Sequence, residues 1–337
     1  MRFGLALFAL MVLAAAPVSA QPVDTAQVGR ELTEGGQWAE RLGEALTLGA
    51  DGLGRLNQSF QALVGAPLNK ARAAAAVPNL RKGIERSRAD VQRSNAMLDS
   101  LPPLRPETAL EMSAGQLLAD ARAHNVRILS LLDAFEAFVV AMGKADMPGM
   151  QRTLPRMLEG SFAMLSQQRL LVRNRQAAVP RTDSSHQSLG VAAQLYRAME
   201  AVFRRSNAAQ TGSPAEAAAA AAAAGEELRA VAADTRALAV EGRRNLQREM
   251  AEIEVVRRGK DAAEARLAER IGRVLAAEAK TFELADRLVA YAEANRATTP
   301  AQLRTAGAGS AVAPLTKLEL EYASINQEQA AALAGGE

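Results

Sequence analysis

The sequence contains no cysteine. Disulfides, cysteine-held zinc, iron–sulfur clusters, covalent c-type haem and cysteine nucleophiles are therefore excluded. Its two histidines, His124 and His186, are too few for a multi-histidine metal site. Aromatic residues amount to only 4%. No run of β-branched residues reads as a strand. A surplus of one charge is missing too. The 40 Lys and Arg stand against 37 Asp and Glu, leaving +3. A net charge that small gives no global field able to hold nucleic acid.

What is present favours helix. Hydrophobic residues make up 49% and charged residues 23% of the 337, the balance of a folded protein rather than a disordered one. Alanine, the strongest helix former, is about a fifth of the chain. The length suits one large domain or two smaller ones.

Residues 1–20 read as a secretory signal. Met1-Arg2 gives a positive start, Phe3 to Ala16 is almost wholly apolar, and Pro17-Val18-Ser19-Ala20 puts small residues before the cut. The apolar run falls short of the ~20 residues a spanning helix needs. Cleavage near Ala20 is expected to leave Gln21 first. No lipid-attachment cysteine follows. The predicted location is the bacterial periplasm or the medium. No later segment reaches spanning length without charges, so no integral membrane segment is expected in the mature chain.

The apolar period is helical almost throughout. Val28, Leu32, Gly35, Ala39, Leu42, Leu46, Gly49, Leu53, Leu56, Phe60 and Leu63 keep 4-3 spacing, the mark of an a/d seam. The glycines in it, with Gly36, weaken a helix there. Asn79 is expected to cap a second helix, with Leu80, Ile84, Val91 and Leu98 on one face and Pro102-Pro103 as its stop. A third helix from Pro106-Glu107 aligns Leu117, Ala121, His124, Ile128, Leu131, Phe135, Phe138 and Met142. Gly143 to Gly149 reads as a turn, and Thr153 to Ala177 as a fourth helix. Pro180 to Ser185 is a loop and the best domain boundary. A fifth helix carries Leu189, Ala192, Tyr196, Met199 and Phe203.

Ser213-Pro214-Ala215-Glu216 has the form of a capping box with proline at the first helical position. The helix it opens is expected to reach Val256, ~40 residues or about 60 Å. Gly259 breaks it. Asp261 starts a return helix with Leu267, Ile271, Val274, Leu275, Phe282, Ala285 and Val289, giving an antiparallel hairpin over 214–296. Arg304 to Pro314 is Gly/Ala-rich and reads as a flexible linker before a short last helix over Leu315 to Ala331.

The predicted class is all-α: one elongated antiparallel helical bundle with coiled-coil-like packing, or two consecutive bundles. The predicted organisation is a signal peptide over 1–20, an N-terminal bundle over 21–180, and a bundle with the long hairpin over 181–298. A linker and short helix fill 299–337.

Catalytic templates fail one after another. There is no Gly-x-Ser-x-Gly elbow, no phosphate-binding loop and no His-Glu-x-x-His. A di-iron site needs Glu three residues before His on each of two helices, and Ala121 and Asp183 stand there instead. His124 lies on an apolar seam. It reads either as a pH sensor or as a core histidine satisfied by a neighbour. Glu278 lies near the stripe of the return helix and reads as a rim carboxylate paired with an arginine rather than as a general acid.

Two constellations suggest binding. Met142, Met147 and Met150 surround a turn and are soft donors suited to Cu(I), although methionine also fills helical cores. Between residues 149 and 182 six arginines face only Glu159. Among them Arg169, Arg173 and Arg175 form a candidate face for an anion or an acidic partner. The alternative is a solvated face bridged to neighbouring carboxylates. Met164 to Arg169 resembles a Met-Leu-Ser-Gln-Arg segment of helical extracytoplasmic sensor domains, with one extra Gln. The likeness spans six residues and implies no role for them.

The function expected is that of a non-enzymatic periplasmic interaction protein: a scaffold, adaptor or chaperone-like protein that meets an envelope partner, or itself, through a helix face. No cofactor and no nucleic acid is expected. The alternative is a soluble periplasmic binding protein for a small anionic ligand or metal.

Overall fold

A computed structural model describes residues 37–38, 41–45, 48, 70–101, 109–259, 261–306 and 308–334. The segment expected to be a signal over 1–20, most of the expected first seam with Gly35-Gly36, and the expected Pro102-Pro103 and Pro106-Glu107 boundaries lie outside them. The described residues are almost entirely helical, contain no strand, and pack helix on helix. From Lys70 onward they form α1 (Lys70–Asp99), α2 (Ala109–Gly143), α3 (Met147–Ala178), α4 (Ser184–Thr211), α5 (Pro214–Arg257), α6 (Ala262–Asn295), α7 (Pro300–Ala306) and α8 (Ala308–Ala334).

Several boundaries differ from the sequence reading. Proline was expected to stop helices, yet Pro78 lies inside α1 and Asn79 caps nothing. A proline within a helix forfeits one ladder hydrogen bond. Packing offsets this: Ala76 and Val77, just before it, lie against the core of α1, α2 and α3. Pro155 lies inside α3 in the same way. That helix starts at Met147 rather than Thr153. Asp146 caps it, accepting from the Gly149 amide at 2.9 Å, with Pro148 in the first turn. The α2–α3 turn is therefore only Lys144 to Asp146. Ala145 makes the reversal at φ 53°, a left-handed conformation that glycine adopts at lower cost.

The long hairpin forms as expected. Ser213 Oγ accepts from the Glu216 amide at 3.3 Å, and the Ser213 amide donates to Glu216 Oε2 at 2.7 Å. α5 has 44 residues and α6 has 34. Their partners run in opposite directions: Gly225 meets Arg296, Arg236 pairs with Glu293, Arg243 pairs with Asp286, and Gly272 meets Ile253. The two backbones approach closely. A Cβ at Gly242 would stand 2.2 Å from the Phe282 ring, so only glycine leaves that ring its place.

The C-terminal segment departs most. Residues 304–314 were expected to be a flexible linker before a short helix. They belong instead to α7 and to α8, which has 27 residues with Pro314 inside it; Gly307 lies outside the described residues. The Tyr291 hydroxyl donates to the Ala311 carbonyl at 2.6 Å, one turn before that proline. Leu315, Leu318, Tyr322 and Ile325 hold α8 in the core.

Two main cores result. One joins α1, α2 and α3 through Leu80, Ile84, Val91, Ile128, Leu132, Phe135, Met142, Met150, Met157 and Met164. The other joins α4, α5, α6 and α8. Helix α3 feeds both, since Val172 and Val179 at its end enter the second. A small third cluster gathers Trp38, Leu42 and Ala45 against Leu98, Leu117 and Ala121.

Candidate functional site

The three candidate arginines of α3 part company. Arg169 Nη1 donates to Glu200 Oε2 on α4 at 2.8 Å. Arg173 is exposed. Arg175 is buried, its pKa lowered to about 10 by burial, in the field of Asp120, Tyr322 and Tyr196. Spacing alone put Arg169 and Arg173 on one face. Tertiary packing gives the three side chains three different surroundings.

The methionines do not converge either. Met142 and Met150 are buried in the first core, while Met147 is 58% exposed. Among the described residues no group of three His, Cys, Asp or Glu could hold a metal ion.

His124 is a core residue, but among the described residues no neighbour satisfies it. Its Nε2 is buried with no hydrogen-bond partner, and burial lowers its pKa to about 3. The ring therefore stays neutral across the physiological range. Beside it Asn125 Nδ2 donates to Ser94 Oγ at 2.8 Å and Asn95 Oδ1 at 2.7 Å.

Glu278 overturns its expectation outright. It was read as a rim carboxylate paired with an arginine. It is fully buried and has no ion-pair partner among the described residues. Its helix shows why: Leu275, Glu278, Phe282 and Ala285 follow 3-4-3 spacing, so Glu278 occupies a seam position.

That carboxylate belongs to the site sequence reasoning missed, the start of α4. Asp183 stands at the cap position but its side chain makes no capping bond. The cap comes from another helix. Glu249 of α5 accepts from the Ser184 amide at 2.8 Å through Oε1 and from Ser184 Oγ at 2.6 Å through Oε2. Glu278 of α6 accepts from Ser185 Oγ at 3.3 Å through Oε2, and its Oε1 is buried without a partner. The preceding loop is pinned to α5. Asn245 Nδ2 donates to Gln187 Oε1 at 3.1 Å, Gln187 Nε2 to the Arg181 carbonyl at 2.7 Å, and Arg248 to the Thr182 carbonyl.

Burial raises the pKa of Glu249. Burial first, and the Glu249 charge second, push Glu278 up to about 8. The hydroxyl of Tyr322 on α8 faces the same group and is pushed to about 12 by burial. Further along α4, Tyr196 donates to Glu319 Oε1 of α8 at 3.2 Å, and burial raises both pKa values. The arrangement holds protons inside the fold. It presents no nucleophile to solvent, because Ser184 and Ser185 are both buried.

A second candidate is the end of the hairpin. None of the described residues between Leu246 and Ala268 is buried. Since Ser184 bonds to Glu249, α4 begins level with that residue. α5 continues to Arg257, about 12 Å further at 1.5 Å per residue. This end exposes Met250 at 44%, Val255 at 74% and Val256 at 41%. Isolated exposed apolar residues are ordinary. At about 100° per residue these three point to different sides of the protruding helix, so they leave its end apolar around its circumference rather than on one face.

Comparisons with models of protein families, with curated proteins and with solved structures gave no match. No helix among the described residues is long and apolar enough to cross a membrane.

Proposed function

We propose that the protein is a non-enzymatic periplasmic interaction protein, a scaffold, adaptor or chaperone-like protein. In this reading its helices form an elongated antiparallel bundle with coiled-coil-like packing, and the end of the α5–α6 hairpin recognises an envelope partner. The observation that carries the reading is the exposure of Met250, Val255 and Val256 around the end of α5, which extends past α4. Exposing valine there costs free energy in water that a partner's apolar surface recovers. The secretory signal over 1–20 supports the compartment.

The alternative, binding of a small anion by Arg169, Arg173 and Arg175 or of Cu(I) by Met142, Met147 and Met150, finds less support. Neither set of side chains shares one surrounding.

Photo-crosslinking residues at Val255 and Val256, in the tagged protein within its native envelope, test the proposal. Both should capture the same envelope protein, and a probe at the exposed Glu241, further down α5, should not. Equal capture from Glu241, or capture of the chain itself alone, sinks the adaptor reading.

A further inference from the structure

Five helices contribute to the junction at the first turn of α4, and it is acidic. α4 contributes Asp183, Ser184 and Ser185, with His186 one position on, its Nδ1 2.9 Å from the Val179 carbonyl. α5 contributes Glu249, with Arg248 3.8 Å from it. α6 contributes Glu278. α8 brings Tyr322, and α3 brings Arg175, whose charge acts on Tyr322. Glu278 lies deepest, entirely shielded from solvent: the Ser185 hydroxyl donates to its Oε2, the Ser184 hydroxyl also acts on the carboxylate as a hydrogen-bond donor, and Oε1 has no partner.

We propose that Glu278 is a proton-operated latch that sets how firmly the α5–α6 hairpin seats on α4. The protonated side chain is neutral and fits the dry junction. The ionised one places a charge beside Glu249, with no cation bonded to it, and works the junction loose.

Geometry and charge agree on this. A buried carboxylate is tolerated when it is paired and fully hydrogen-bonded, and Glu278 is neither. The serine hydrogen bonds favour its charged form, but burial and the neighbouring Glu249 outweigh them and carry the group from an ordinary 4.5 to about 8. Between those values the folded chain holds a proton that the unfolded chain has released. Raising the pH through that window therefore weakens the folded junction, and the loss is complete above about 8. The latch does not rest on the partner reading above, because it concerns contacts within the chain.

Hydrogen exchange on the full mature chain, corrected for the intrinsic rate, tests it at about pH 6 and about pH 9. Opening of residues 184–190 and 271–285 is expected to increase at least ~10-fold at the higher pH while helix content stays constant. Glu278→Gln, which mimics the neutral acid, should abolish that increase, and His186→Asn should keep it. No increase in the wild type, or the same increase in Glu278→Gln, overturns the proposal. So does loss of the increase in His186→Asn, or a general loss of helix. Should Glu278→Gln not fold, infrared spectroscopy of the wild type decides. A protonated-carboxyl stretch present at pH 6 and lost near pH 8 supports the latch, and its absence at pH 6 overturns it.

Discussion

Helices α1 to α3 and helices α4 to α8 are built from the same kind of sequence but bury different chemistry. The first core is filled by aliphatic residues and four methionines; α1 to α3 also bury His124, Asn125 and Ser94, together with Arg175 and with Asp90, which pairs with Arg93. The second sets Phe282 against the bare backbone of Gly242, and it takes in Glu278, Glu319, Tyr196 and Tyr322. The first buries a base that must not gain a proton, the second an acid that must not lose one. Their responses to pH are consequently opposite in sign.

The largest test of this contrast is core packing. Phe282→Ala should cost about 3–5 kcal/mol in urea unfolding. Met157→Leu in the first core should cost less than about 1.5 kcal/mol, because methionine adapts to its gap. Similar costs would erase the distinction. Gly242→Ala comes next, at about 1–3 kcal/mol, since the added methyl must displace the Phe282 ring.

The pH responses follow, each with the sign that proton linkage gives it. His124 is lowered from 6.5 to about 3, so the unfolded chain takes up a proton first and the first core should weaken as pH falls through that window. Glu278 should weaken the second core as pH rises from 4.5 towards 8. Urea midpoints across pH should show both limbs, with His124→Leu flattening the acid limb alone and Glu278→Gln the alkaline limb alone. Either variant changing both limbs would break the comparison. The smallest effect is Ala145→Gly in the α2–α3 turn, which should stabilise by about 0.5–1 kcal/mol in thermal melts because alanine is strained at positive φ.

Much of the fold was legible in the sequence. The helical period, the Ser213–Glu216 box and the return of the hairpin after Gly259 are local signals, and each appears where the spacing put it. Prolines misled the reading. Pro78 and Pro314 looked like helix boundaries, but packing of Val77 and of α8 outweighs the one hydrogen bond a proline removes. The candidate site was read less well. Glu278 stood on the seam in plain view, yet a charged residue among apolar ones is more often at the rim. Ser185, which donates to it, and Glu249, whose charge pushes its pKa up, lie far away along the chain, so no spacing rule could join them to it.

The sequence by itself determined that this chain makes long helices, where its longest hairpin begins and turns, and that cysteine chemistry is closed to it. Those properties follow from residue type and short-range spacing, because a helix satisfies its hydrogen bonds within a few residues. Only the tertiary structure decided that Arg169, Arg173 and Arg175 separate, that α8 completes the second core, and that two carboxylates close on the first turn of α4. Those outcomes depend on which helix faces meet, and the energy of a buried charge is set by neighbours that the chain brings together only on folding.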